Sequence, residues 1–373
     1  MLINEIKTLP IKKTLPGFTR NMRKNAPHYI SSLIEKAYPF IEIASIDNLA
    51  SDAVDVLTGG NSSVVYRIQL ADQQEHYVVK FRNRGASAEA EALQAWQKAG
   101  VNTVIVRSYG TVPDVKPTKS PIKYILMDAV LDEHGDPAKT GEAFVLEHPR
   151  QIIPVAEAMG TELSKLHRTY TKRSFGEFGD MWGNTAALKS FNAFLMNYVK
   201  QHKPTWRDLG FNDEQIDRFE TMVKGCSFPK QSVFIHGDFS LRNVLVTSDK
   251  PVTICVFDPN PIVGDPTWDL AILHNNALYS AEKHRLRPTS KRYRIEYLRD
   301  KNLLVGLYNT YERPPRLEST FDERLKISML IQTTFLFDIE RGKVARQKKD
   351  PARNLGLQMR RNVATELFKE VVG

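Results

Sequence analysis

His236-Gly-Asp-Phe-Ser-Leu-Arg-Asn243, followed by Val256-Phe-Asp258-Pro-Asn-Pro-Ile-Val-Gly264-Asp265-Pro-Thr-Trp-Asp269-Leu-Ala271, is the stretch whose reading decides the fold. Two apolar runs rich in β-branched residues, Ser232-Val-Phe-Ile235 and Val252-Thr-Ile-Cys-Val-Phe257, flank the polar loop and read as strands. Asn243 and Asp258 then emerge from neighbouring strand ends, with Asp238 beside them. Oxygen-bearing side chains in that arrangement suit Mg²⁺, a hard cation that uses one or two carboxylates and completes its shell with substrate phosphates. A carboxylate five residues ahead of the Asn ligand can face an acceptor hydroxyl across the metal site. Taken singly, His-Gly-Asp or Asp-Pro is only a turn.

Working outward toward the N-terminus, Val54-Asp-Val-Leu57, Ser63 to Leu70 and His76 to Phe81 are short, β-branched and aromatic, and separated by turn-formers. That texture predicts an antiparallel meander. Residues 86–99 are strong helix formers that stop at Gly100, and the apolar stretches 103–106 and 124–127 follow. Beyond residue 150 helical periodicity dominates, over Ile153 to His167, Ala186 to Lys200, Asp213 to Lys224 and several segments after 267. The expected class is therefore α+β: a small antiparallel sheet with one main helix, then a larger, mostly helical lobe. Residues 1–25 carry a duplicated Lys-Thr-Leu-Pro and read as an extended lead-in.

The chain has 373 residues, 42% hydrophobic and 25% charged, which excludes a mainly disordered or fibrous protein. Its formal charge of +9 is unevenly placed. Residues 1–279 hold 31 basic and 31 acidic side chains, and residues 280–373 hold 21 and 12, so the whole surplus lies in the last quarter. Two cysteines, Cys226 and Cys255, make neither a disulfide framework nor a four-ligand zinc site. No apolar run reaches the length of a signal-peptide core near the start or of a membrane span elsewhere, so a cytoplasmic protein without membrane contact is expected.

The joint pattern His-Gly-Asp-x4-Asn and Asp-x6-Asp-Pro-x2-Asp-Leu-Ala resembles the aminoglycoside phosphotransferase family, the small-molecule branch of the protein-kinase-like fold. The segment Phe257-Asp-Pro-Asn-Pro-Ile-Val-Gly-Asp-Pro is most similar to the aminoglycoside 6-phosphotransferase and hydroxyurea phosphotransferase type. The resemblance covers roughly residues 50–275 and implies a bilobal fold. Residues 1–45 would be an N-terminal extension with no order assigned to it, and 46–128 the nucleotide-binding lobe. Residues 129–373 would be the helical lobe, with its catalytic loop at 234–246 and its metal segment at 256–271.

The resemblance further implies Asp238 as catalytic base, Asn243 and Asp258 as Mg²⁺ ligands, Asp269 as a buried brace for the loop, and His236 as a structural hydrogen-bonding residue. Arg242 can neutralise charge on the transferred phosphoryl group, though a loop arginine is equally at home in solvent. Thr58-Gly59-Gly60-Asn61-Ser62-Ser63 resembles the family's nucleotide loop, whose backbone N–H groups approach phosphates closely. Lys80, ending Tyr77-Val-Val-Lys80, matches the strand lysine that meets the α- and β-phosphates. Its helix partner is Glu89 or Glu91. On a helical wheel Glu89 shares a face with Leu93 and Trp96 whereas Glu91 points away, which selects Glu89. Ile125-Leu-Met127-Asp-Ala129 would be the inter-lobe connection that meets the adenine through its backbone, and His167 would close a Leu-x-x-Leu-His helix end in a structural role. The chain departs from protein kinases in the Pro-Asn after Asp258, where they carry Phe-Gly, and in Ser240, where they carry Lys.

The leading expectation is an enzyme that moves the γ-phosphoryl of ATP, with Mg²⁺, to a hydroxyl of a small molecule. A second keeps the fold and makes the acceptor a macromolecule, protein or RNA, on the strength of the basic last quarter, with Tyr293 and Tyr297 interleaved. Nucleic acid is allowed by that charge and not favoured by it. A non-catalytic kinase-like scaffold ranks last, because every residue for Mg²⁺ and phosphate handling is present. A polycationic antibiotic calls for an acidic pocket, and the one acidic run, Asp213-Glu214-Asp217-Glu220, has the spacing of an exposed helix face. An anionic or neutral acceptor fits the basic tail better.

Overall fold

A computed structural model describes residues 28–33, 43–48, 63–70, 76–82, 85–112, 122–171, 175–177, 188, 190–228, 232–314, 320–346 and 351–372. The chain divides into two compact units, one built from residues 1–98, 103–137 and 178–184, the other from 99–102, 138–177 and 185–373.

The first unit is a five-stranded antiparallel sheet. Its strands are β1 (Ile43–Asn48), β2 (Val64–Leu70), β3 (His76–Arg82), β4 (Val106–Thr111) and β5 (Lys123–Asp128), with helix α1 (Ala86–Lys98) between β3 and β4. The order is β1-β2-β3-β5-β4. In β3 the two-residue period sends Tyr77, Val79 and Phe81 into one core, where they meet Tyr66, Ile68 and Leu126. Residues 28–33 are helical and add Tyr29, Ile30 and Leu33 to that core. Within the expected extension of residues 1–45, 28–33 and the start of β1 are described, and the other residues lie outside the described residues. The alternate positions of β3, Lys80 and Arg82, are buried as well. Helix α1 packs against β4 and β5, burying Glu89, Leu93 and Trp96 on one side. The predicted strand 54–57 lies outside the described residues. Strand β4 starts at Val106, at the end of the apolar stretch 103–106, because it continues as far as its pairing with β5, through Ser108 to Thr111.

The second unit begins with β6 (Lys139–Thr140), α2 (Gly141–Glu147), α3 (Ile152–Arg168), β7 (Tyr170–Thr171) and β8 (Gly176–Glu177). Helices α4 (Phe191–Gln201), α5 (Lys203–Asp208) and α6 (Asp213–Gly225) follow. Then come β9 (Ser232–Ile235), β10 (Val244–Asp249), β11 (Val252–Val256), β12 (Ile262–Gly264) and the long helices α7 (Thr267–Leu286), α8 (Lys291–Thr310), α9 (Phe321–Arg346) and α10 (Pro351–Val372). Helix α4 starts at Phe191, later than the predicted Ala186, because Ser190 caps it by accepting the Ala193 N–H. Asn212 and Gln215 form a capping box at the start of α6.

Two small sheets, β11-β10-β6 and β7-β9-β12-β8, carry the polar loop between them. None of the helices among the described residues is long and apolar enough to cross a membrane.

Helix α3 is held against α8 by small residues. A Cβ on Gly306 would lie 2.8 Å from the Ala156 Cβ and 2.7 Å from the Ile153 carbonyl, and one on Gly160 would lie 2.4 Å from the Leu307 carbonyl. His167 lies in the last turn of α3, so this close crossing also sets the position of a residue of the site. Gly306→Val should force the helices apart and cost about 1–3 kcal/mol, the usual penalty of overpacking. Urea unfolding of the full chain checks it, and an unchanged midpoint would contradict the packing described.

Candidate active site

The polar loop is shaped by one carboxylate. Asp269 lies in the first turn of α7 with no solvent exposure, where the unpaired N–H groups and the helix dipole favour a negative charge. Its Oδ2 accepts the His236 N–H and its Oδ1 the Gly237 N–H, both at 2.8 Å. The Nε2 of His167, at the end of α3, lies 3.1 Å from Oδ2. A carboxylate only accepts, so Nε2 carries the proton, and in the neutral imidazole Nδ1 accepts from the Tyr311 hydroxyl at 2.9 Å. Burial holds the Tyr311 pKa well above the ordinary tyrosine value, which keeps that hydroxyl a donor.

Gly237 has a φ of +79°, and a Cβ there would lie 1.9 Å from the Asn260 carbonyl oxygen, so no other residue fits. Asn260 in turn donates its N–H to the His236 carbonyl at 2.8 Å. His236 ties the loop to the strand after β11: its Nε2 donates to the Phe257 carbonyl at 3.0 Å, and its Nδ1 accepts the Asp238 N–H at 3.2 Å. The next turn is closed by Asn243, whose amide nitrogen donates to the Asp238 carbonyl at 2.7 Å and to its carboxylate at 3.0 Å. Phe257 donates its N–H to the Asn243 carbonyl at 3.1 Å, and the hairpin pairs Val244 with Val256. Asp238, Asn243 and Asp258 are therefore brought together by backbone pairing at one end of the β10–β11 hairpin.

Asp258 is the one non-glycine residue with positive φ among the described residues, at 52°. That conformation is costly for an aspartate and persists where surrounding structure enforces it. The Asp238 side chain reaches solvent, yet the protein crowded about it raises its pKa above the ordinary carboxylate range. The Asp258 carboxylate adds to the rise, while His236, the Asn243 amide and Arg242 oppose it. The donor set fits Mg²⁺: the Asn243 amide oxygen and the Asp258 carboxylate are hard oxygen ligands. No group of three or more His, Cys, Asp or Glu side chains able to hold a metal occurs among the described residues. A shell completed by substrate phosphates needs none.

Arg242 is largely exposed and lies 3.9 Å from the Glu142 carboxylate. The second acidic residue of the Asp265-Pro-Thr-Trp-Asp269 segment is also structural. Asp265 accepts from the Thr267 N–H at 3.0 Å and hydroxyl at 2.5 Å, and pairs with the buried Arg324 of α9 at 2.7 Å. Burial raises its pKa, and Arg324 and Thr267 act against the rise. The fixed spacing thus clamps the start of α7, to α9 through Asp265 just ahead of the helix and to the loop through Asp269 in its first turn.

In the first unit, Lys80 donates to both oxygens of Glu89, at 2.7 and 2.9 Å, and the pair is buried. Arg82 also pairs with Glu89, which the sequence reading passed over. The signal was there, since Arg82 is two residues beyond Lys80 and shares its face of β3. Ser63 is partly buried just before β2, and Gly59, Gly60, Asn61 and Ser62 lie outside the described residues. Met127 and Ala129, expected to meet the adenine through their backbone, lie in β5 and one residue beyond it. Met127 sits within β5, paired to Val78 on one side and Val106 on the other, and the Ala129 N–H donates to the His76 carbonyl at 2.8 Å. Sheet pairing runs two residues further than the apolar stretch suggested, so the N–H of Ala129 is already engaged.

The profile described as Phosphotransferase enzyme family, APH, matches residues 54–301. No curated protein matches the sequence. Among solved structures, the apo form of a thermostable mutant of aminoglycoside phosphotransferase APH(4)-Ia is similar with a TM-score of 0.58 at 14% identity, over 92% of this chain and 99% of that one. A ternary complex of an APH(4)-Ia mutant with AMP-PNP and hygromycin B gives 0.54 at 14% identity, over 91% and 98%. The GDP complex of a mutant aminoglycoside 2'-phosphotransferase-IIIa gives 0.52 at 13% identity, over 92% and 99%. At these identities the shared property is the fold.

Replacing Asp269 by Ala would leave two buried backbone donors and the His167 N–H without an acceptor, a loss of about 3 kcal/mol or more at 1–3 kcal/mol per orphaned group. Urea denaturation followed by circular dichroism measures it. A variant as stable as the parent would contradict the role given to this carboxylate.

Proposed function

The chain belongs to the phosphotransferase enzyme family matched by its residues 54–301, and from that premise we propose that it transfers the γ-phosphoryl group of ATP to a hydroxyl of a small molecule. The observation that carries this reading is the Asp238–Asn243–Asp258 cluster, with Asn243 Nδ2 3.0 Å from the Asp238 carboxylate. Asp238 is the base: it takes the acceptor's proton as the hydroxyl oxygen bonds to the γ-phosphorus and the bond to the bridging oxygen breaks, its electron pair leaving with ADP.

Asn243 and Asp258 are the residues that would hold Mg²⁺. When bound, that ion supplies charge neutralisation at the phosphates. Lys80, fixed by Glu89, is assigned to the α- and β-phosphates, and the segment Gly59 to Ser63 to the backbone cradle around them. Residues 46–128 would thus serve the nucleotide and the helical unit the acceptor. APH(4)-Ia, with the same fold, has been solved with an ATP analogue and an aminoglycoside together, which supports a nucleotide and a small-molecule acceptor here.

Asp238→Ala should lower acceptor-dependent ADP release roughly 10²–10⁴-fold, the usual worth of a positioned base. ATP with Mg²⁺ should still raise the thermal unfolding midpoint of that variant, because binding to the folded state alone stabilises it. Turnover retained in the variant would overturn the assignment of the base.

A further inference from the structure

We propose that the acceptor is an anionic compound, a phosphate monoester that also carries a free hydroxyl, held by a basic cleft in the helical unit beside the catalytic loop. The proposal rests on the phosphotransfer reading and names the substrate class of the same site. The cleft has a volume of about 320 Å³ and is walled by Ser240, Leu241 and Arg242 of the catalytic loop and by side chains of α2, α7, α8 and α10. Ser240 is two residues beyond Asp238, so a ligand in this cleft lies next to the segment that carries the base.

The charge of the cleft is positive after its own pairing is counted. Five cationic side chains line it, Arg242, Lys283, Arg292, Arg299 and Arg360, against the three carboxylates Glu142, Glu296 and Asp300. Lys283 and Arg292 share the single carboxylate of Glu296, at 2.7 and 3.0 Å. Arg299 takes Asp300 at 2.8 Å and Glu142 at 3.2 Å, with Arg242 farther from the same Glu142. Glu340, outside the lining, also acts on Arg360, and the lining itself carries more cations than carboxylates, which suits an anionic ligand.

Arg360 is the residue that points to a ligand. Its Nη1 has no access to solvent and no hydrogen-bond partner, an expensive state for a charged donor. The guanidinium lies 3.8 Å from the Tyr279 ring centroid, and the same ring carries Lys283 Nζ at 4.7 Å. Two cations so placed share one aromatic ring in the wall of the cleft. Burial lowers the Arg360 pKa, with Tyr279 and Glu340 opposing the shift. A bidentate phosphate contact is the form of recognition for which a planar guanidinium is suited. The polycationic aminoglycoside of the relative solved with hygromycin B would meet repulsion here.

The test uses the full chain with ATP, Mg²⁺ and matched acceptors: glycerol 3-phosphate against glycerol, glucose 6-phosphate against glucose, and ribose 5-phosphate against ribose. Glycerate serves as a carboxylate arm, and kanamycin and choline as cations. ADP release should favour a phosphorylated member over its neutral partner at least tenfold in kcat/KM. Arg360→Met should raise the KM for that member at least tenfold with a smaller change in kcat, and Arg360→Lys should recover part of the loss. Lys369→Met, an exposed charge on the same helix, should leave both constants unchanged. Should Arg360→Met not fold, Lys283→Met carries the same expectation.

Preference for glycerate, a neutral member or a cation, or a KM unmoved by Arg360→Met, would overturn the proposal. If no member is phosphorylated, the phosphotransfer reading is at fault and calorimetric titration decides the cleft separately. Binding of a phosphorylated probe that is lost in Arg360→Met upholds the anion site, and no binding of any phosphorylated probe to the parent chain overturns it.

Discussion

A buried carboxylate with three donors pointed at it organises the helical unit of this protein. Asp269 receives two successive backbone N–H groups of the polar loop and one imidazole N–H. Each donor comes from a different constraint. The loop amides are presented because Gly237 takes a left-handed backbone, the imidazole because His167 lies in the last turn of α3, and the carboxylate because α7 begins two residues earlier. In the low-dielectric interior an unpaired carboxylate would be strongly destabilising, so the three donors and the acceptor require one another. Placement of Asp238 follows from this knot, since its N–H and its carbonyl are both fixed within one turn of it.

The same physics explains which features were legible in the sequence. Polar residues that must satisfy several backbone groups at once tolerate no change of spacing, and the interval from His236 to Asp269 therefore read clearly. The resemblance called for a helix glutamate beside Lys80, and the helical wheel chose Glu89 over Glu91 because only Glu89 shares the face of Leu93 and Trp96. Pairing that depends on distant segments was not legible. Arg324 lies 59 residues beyond Asp265, and Tyr311 lies 144 beyond His167, and no local period links them. Arg82 escaped for another reason: a strand-end arginine ordinarily faces solvent, and its place on the face of Lys80 was the one local signal that it would be buried beside Glu89. Most of the stretch 125–129, read as the inter-lobe connection, belongs to β5, because sheet pairing continues past the apolar residues to Asp128.

The basic surplus also acquires a place. Lys283, Arg292, Arg299 and Arg360 all belong to the last quarter of the chain, which holds the whole net charge, and all four line one cleft. A solvated basic face would scatter its charges over exposed positions. Here part of the excess is gathered around Tyr279 and shares too few carboxylates to be neutralised. A cleft of about 320 Å³ is of small-molecule size, which is the basis of the anionic acceptor proposed.

The central claim is that the Asp238 loop performs phosphoryl transfer to a hydroxyl, and the most direct measurement follows the phosphorus itself. The full chain is incubated with ATP labelled at the γ-phosphorus, Mg²⁺ and the acceptor panel. The label should appear in a phosphate ester of one acceptor, one equivalent for each ADP formed. Label found only in inorganic phosphate, or left in ATP with every acceptor, would contradict the account.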